Sequence, residues 1–82
     1  MKPFKLNILT PEKELFGGQA TFLAARAADG EIGVLADHAP LITILTPGPI
    51  RYQLTNGEEV GIDGGEGFMI IDKGTASILL SR

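Results

Sequence analysis

Phe4, Leu6 and Ile8 are apolar, while Lys5 and Asn7 between them are polar. A period of two sends alternate side chains to opposite faces of an extended chain, so Phe4 to Thr10 reads as a half-buried strand. Pro11 ends it and opens a turn. Leu15 and Phe16 read as a short return strand, with Gly17-Gly18 as the corner after it. Ala20 to Ala28 carries two signals. Its alanines favour helix, whereas Thr21, Phe22 and Leu23 favour strand. Glycine corners at both ends favour the strand, and the alanines would then mark a close approach between sheets. Asp29-Gly30 is a turn dipeptide leading into Glu31 to Leu35.

Ala36 to Pro40 reads as a loop. Leu41 to Leu45 is a short apolar run that its period does not assign. Pro47-Gly48-Pro49 breaks the chain. Ile50, Tyr52 and Leu54 then alternate with Arg51 and Gln53, Asn56-Gly57 follows, and Glu58 to Ile62 returns. This is the clearest hairpin in the sequence, with a type I′ turn expected at Asn56-Gly57. Asp63 to Gly67 is a glycine-rich corner where backbones approach closely. Phe68 to Asp72, a Lys73-Gly74 turn and Thr75 to Leu80 complete the chain. The pattern predicts an all-β sandwich, or flattened barrel, of about ten short strands in two sheets, with no secure helix.

Composition narrows the function. Eighty-two residues make one domain, 1–82. A chain of this length buries only about 60–65% of its unfolded surface, so the core must be compact or a partner must complete it. The net charge of −3 and the scattered positions of the seven basic residues argue against nucleic acid and against direct binding to an anionic membrane. Acidic residues cluster instead, as Asp29, Glu31 and Asp37 and as Glu58, Glu59, Asp63, Glu66 and Asp72. Cysteine is absent, which excludes a disulfide framework and thiolate chemistry. No apolar run is long enough for a signal peptide or approaches the ~20 residues of a membrane span. Any membrane association is therefore expected through another protein.

No catalytic, cofactor or metal site is expected. His38 is the only histidine and has no spaced nucleophile, acid or co-ligand. A loop histidine bonded within its own loop, or packed at an interface, is the expectation. Asp29-Gly30-Glu31 lacks the further oxygen ligands of a calcium loop and reads as an acidic hairpin tip. Gly64-Gly65-Glu66-Gly67 lacks the Lys-Ser/Thr of a phosphate loop. Asp72-Lys73 has the form of a lipoyl or biotinyl attachment hairpin. In such carriers the lysine sits near mid-chain, whereas here only residues 74–82 follow it. A carrier and a generic β-sandwich binding module remain as alternatives.

The segment Gly30-Glu31-Ile32-Gly33-Val34 followed by His38-Ala39-Pro40-Leu41 and Thr43 resembles a family signature, that of the N-terminal β-sandwich domain of the epsilon subunit of F-type ATP synthases (the counterpart of mitochondrial delta). Around it, Ile8-Leu9-Thr10-Pro11, Phe16-Gly17, Pro47-Gly48, Ile50-Arg51, Gly67-Phe68-Met69 and Ser77-Ile78-Leu79 fit the family pattern in order, from Leu6 to the end. Asp37 stands where the family usually has glycine, and Gly65-Glu66-Gly67 where Ser-Gly-Gly is usual. Most members continue into a two-helix hairpin that carries their regulatory features. This sequence ends at Arg82, and those features are not carried over.

The resemblance implies a non-catalytic rotor subunit at the foot of the central stalk, held by the gamma subunit and resting on the membrane c-ring. It would lie at the cytoplasmic face of a bacterial plasma membrane and couple ion translocation to ATP synthesis or hydrolysis. By motif position, Asp29, Gly30 and Glu31 are expected to face the c-ring. Thr10, His38, Ala39, Pro40, Leu41, Ile42 and Thr43 are expected to face gamma.

Overall fold

The alternation at the start of the sequence becomes strand β1 (Phe4–Leu9), whose Phe4, Leu6 and Ile8 are buried. The computed structural model describes residues 1–82. Seven further strands follow: β2 (Glu14–Ala27), β3 (Gly30–Val34), β4 (Leu41–Leu45), β5 (Pro49–Leu54), β6 (Glu59–Asp63), β7 (Gly67–Asp72) and β8 (Thr75–Leu80). There are eight strands rather than about ten, and the main reason lies in β2. Leu15-Phe16 and Ala20–Ala27 are not separate strands around a corner. They form one strand that runs through Gly17-Gly18.

β2 unites the two layers. Its first half pairs antiparallel with β1, from Phe4↔Ala20 to Leu9↔Glu14. Its second half pairs with β5 on one side and β3 on the other. The register slips once near Leu15 and once at Thr21, and such bulges bend a strand and sharpen its twist. The bend carries the strand from one layer to the other. Hydrogen bonding is continuous in the order β1-β8-β7-β4-β2-β5-β6, with β3 added to β2. Because β1 also returns to β2, the layers close into a flattened barrel through Ala27↔Leu45. β1 and β8 are the one parallel pair.

The core fills the space between the layers. Leu6, Ile8, Leu23, Val34, Leu45, Ile50, Met69 and Ile78 are fully buried. Phe16 and Tyr52 meet with ring centroids 4.6 Å apart and tilted by 41°, an arrangement aromatic pairs favour. Burial pushes the Tyr52 hydroxyl above its usual pKa. Strand wins over helix at Ala20–Ala27 because four strands need that segment as a partner, and tertiary pairing outweighs alanine's propensity. Its alanines at 20 and 25 are buried in the core between the layers, as close sheet approach requires.

Two turns exchange roles relative to expectation. Asn56 does not have a positive φ; only Gly57 does, at 91°. The Gly57 N–H donates to the Leu54 carbonyl, and Leu54 N–H to the Glu58 carbonyl, so the β5–β6 loop is longer than a two-residue turn. The two-residue turn with both central φ positive lies at Lys73 (φ 50°) and Gly74 (φ 78°).

Candidate docking interface

The strand registers give the sandwich two unlike outer faces. On the β1-β8-β7-β4 layer, Leu9, Leu79, Phe68 and Ile44 form one outward row across four strands. Asn7, Ser77, Ile70 and Ile42 form the next, and Lys5, Thr75 and Asp72 a third. Six of these side chains are large and apolar. Ile42 is 72% exposed, Ile44 61% and Phe68 39%. Scattered surface leucines need no explanation, but a contiguous apolar patch on a small domain marks an interaction surface.

The opposite face, on β3-β2-β5-β6, is polar. Phe22, Gln53 and Glu59 lie in register there, as do Gly33, Ala24, Arg51 and Gly61. Arg26 lies beside Glu31. The Arg51 guanidinium stands 3.6 Å from the Glu31 carboxylate. Both groups are well exposed, so the pair contributes at most about 1 kcal/mol. Gly61 leaves open space on this face, while the Phe22 ring lies beside Gly33.

Among the residues expected to face gamma, alternation divides β4. Ile42 points outward into the apolar face. Leu41 and Thr43 lie on the inward side, opposite Ile71 and Met69, and Leu41 packs against the core. Of residues 41–43, Ile42 alone offers its side chain to the apolar outer face. Thr10 and the His38–Pro40 loop do not meet. Thr10 follows Leu9 at one end of the face, where its Oγ donates to the Lys13 carbonyl and accepts from the Lys13 N–H, both at 3.2 Å. Pro40 lines a shallow depression at the other end, with Ile42, Ile70 and Asp72. His38 is half-buried, and its Nδ1 lies 2.7 Å from the Ala39 carbonyl oxygen, a contact within its own loop. The candidates thus bracket the face. Its middle is Ile44, Phe68, Ile70 and Leu79, which motif position did not single out. The signal for them was present, because β4 and β7 are apolar on both sides. That is the pattern of a strand covered on both faces, yet this chain covers only one.

Asp29 lies in the two-residue turn Ala28-Asp29. Gly30 (φ 128°) opens β3, and Glu31 follows within that strand. The hairpin is rooted beside the apolar face. The Ala28 N–H donates to the Ile44 carbonyl at 3.2 Å, and the Thr46 N–H to the Arg26 carbonyl at 3.0 Å. The acidic turn and the apolar face are therefore neighbours across the edge of β4. No group of three or more His, Cys, Asp or Glu side chains is placed to hold a metal ion.

The profile of the family described as "ATP synthase, Delta/Epsilon chain, beta-sandwich domain" matches residues 3–82. The chain belongs to this family. It is similar to the ATP synthase epsilon chain of Acinetobacter baylyi, 45% identical over 67 residues that cover 79% of this chain and 48% of that protein. The ATP synthase epsilon chain of Psychrobacter arcticus is 42% identical, with 79% and 49% covered. The chain spans about half the length of these relatives. Its fold matches a chain in the Euglena gracilis mitochondrial ATP synthase with a TM-score of 0.88 at 22% identity, over 94% of this chain and 49% of that one. A chain in the central stalk/c-ring structure of the Tetrahymena thermophila enzyme gives 0.81 at 18% identity, over 95% and 63%. Membership of the delta/epsilon family removes the ground for the carrier reading of Lys73.

Proposed function

We propose that this delta/epsilon-family sandwich is the docking domain of a non-catalytic rotor subunit of an F-type ATP synthase. Its outer β1-β8-β7-β4 face is held by the gamma subunit. The acidic Asp29-Gly30-Glu31 hairpin is directed at the c-ring, through which the subunit couples ion translocation to ATP synthesis or hydrolysis. It works at the cytoplasmic face of a bacterial plasma membrane, peripheral to it, and has no cofactor.

The observation that carries this reading is the exposed apolar row Leu9–Leu79–Phe68–Ile44 with Ile42 and Ile70 beside it. Its outward side chains have no covering layer within the chain. The epsilon-chain relatives and the central-stalk fold match support the choice of partner. An apolar centre with charged margins, here Lys5 and Asp72, is the anatomy of a protein interface. A closed, close-packed sandwich also deforms little, as a part that passes torque between neighbours requires.

The test is capture of the 82-residue chain by gamma and by the c-ring of the same organism. Stoichiometric capture by gamma is the expected result. A folded chain, shown so by circular dichroism, that gamma fails to capture would overturn the assignment and leave a β-sandwich binding module as the reading.

A further inference from the structure

At the Thr10 end of the apolar face lies a cavity of about 260 Å³. Its lining runs from the Pro11 turn after β1, past Ser81 after β8, to Gly67 at the start of β7, and the outward side chains Leu9, Phe68 and Leu79 join it to the face. We propose that this cavity is the socket of the interface, and that it receives one bulky apolar side chain of the gamma subunit. The inference rests on the docking assignment above and names where that contact is anchored.

Three observations identify the occupant. Both side-chain hydroxyls in the wall are already engaged. Thr10 Oγ is bonded to Lys13, and Ser81 Oγ donates to the Glu66 carbonyl at 2.9 Å. The wall holds no charged side chain. An amide or charged group entering would lose its hydration without a partner, so the socket selects an apolar group. Its size is below the ~300–1,000 Å³ usual for small-molecule sites, which suits a single leucine, phenylalanine or tryptophan side chain. Its position is continuous with the exposed row of Leu9, Leu79, Phe68 and Ile44, so a partner seated on that row reaches it. Filled pockets of this kind concentrate binding energy in one anchor, while the surrounding contacts exclude water.

Gly67 borders the socket. A β-carbon there would fall on the Leu79 carbonyl oxygen, so the position is held free of a side chain by the β7–β8 backbone itself. Ser81 is exposed, and its own N–H also donates to the Glu66 carbonyl at 2.9 Å. A larger side chain at 81 therefore fills the space without taking the backbone clamp away.

The experiment measures affinity for gamma by titration, with the wild-type chain and four variants. Ser81→Trp and Pro11→Trp fill the cavity from different lining positions, Gly61→Ala on the polar face leaves it untouched, and Ile42→Thr/Ile44→Thr depletes the face. The expected result is at least tenfold weaker binding for either filler that melts within about 2 °C of wild type, with Gly61→Ala unchanged. Wild-type affinity in a folded filler, alongside weakened binding by the Ile42→Thr/Ile44→Thr chain, would overturn the socket and leave the docking face standing. Failure of the wild-type chain to bind gamma would overturn both.

Discussion

Gly67 faces Leu79 so closely across the β7–β8 ladder that a β-carbon at position 67 would overlap the Leu79 carbonyl oxygen. The obstacle is backbone, which no rotamer change relieves. Gly67→Ala must therefore spread the two strands that carry Phe68 and Leu79. A loss of roughly 2–4 kcal/mol is expected, the range of overpacking plus lost ladder bonds. Gly61→Ala on the polar face is the matched control, since no atom lies near its added methyl group. Denaturant unfolding of both variants checks this. Equal stabilities would show that the Gly67 approach is not tight in solution.

Tyr52 gives a prediction in pH. Burial raises its hydroxyl pKa above the ordinary tyrosine value of 10.0. In the window between the unfolded and folded pKa values, the unfolded chain binds fewer protons than the folded one, so stability falls as pH rises. The contribution is fully present below about pH 10 and is lost as pH climbs through the folded value. Melting temperatures from pH 8 to 11 should fall for wild type more steeply than for Tyr52→Phe. Parallel curves would show that Tyr52 ionises in the fold as freely as in the unfolded chain.

Much of the fold was legible because burial is one-sided where the pattern alternates. β1 and β5 announce themselves through Phe4-Leu6-Ile8 and Ile50-Tyr52 against Lys5-Asn7 and Arg51. Two things were not legible. Gly17-Gly18 has the composition of a corner, and only its pairing with Asn7 and Leu6 shows that it lies inside a strand. Lys73 takes the left-handed conformation that composition assigns to Asn56, because the last β7–β8 pair, Asp72↔Thr75, leaves two residues for the turn while the last β5–β6 pair, Gln53↔Glu59, leaves five. The docking candidates show the same divide. Motif position found both ends of the apolar face, at Thr10 and at His38–Pro40. Its middle depends on which of two apolar faces of β4 and β7 is already covered, and pairing decides that.

Ile42 and Leu41 separate interface from core. Ile42→Thr/Ile44→Thr keeps β-branched side chains on the strand while removing exposed apolar surface. Its stability should stay within about 0.5 kcal/mol of wild type, while capture by gamma falls at least tenfold. Leu41→Arg instead drives a charge toward Ile71 and the core, and should cost about 2–4 kcal/mol in stability. Thermal melts run beside the binding assay distinguish the two. Unchanged capture by the double variant would remove this face from the interface.

Lys73 carries a cost that a better turn residue relieves. It is the one non-glycine residue with positive φ, at 50°. A left-handed lysine is unfavourable by about 1–2 kcal/mol, and asparagine tolerates the region better. Lys73→Asn should raise stability by roughly 0.5–1 kcal/mol, with no effect on gamma binding. A lowered melting temperature would mean that the lysine side chain makes a contribution that outweighs its backbone.

Glu31 stands between two arginines, beside Arg26 in register and 3.6 Å from the Arg51 guanidinium. Glu31→Lys would place a third positive charge on that face. Because the groups are well exposed, water and salt screen the change, and the loss in stability should stay near 1 kcal/mol or below. The effect on docking should be larger. The hairpin would lose half of its acidic character, leaving Asp29 alone, and a charged rim acts mainly on association rate and specificity. Capture by the c-ring should fall for the variant. Wild-type capture should weaken as ionic strength rises, whereas that of the variant should change little. A melting temperature lowered by many degrees would assign Glu31 a structural role. Capture equal to wild type at every salt concentration would show that the acidic hairpin does not meet the ring.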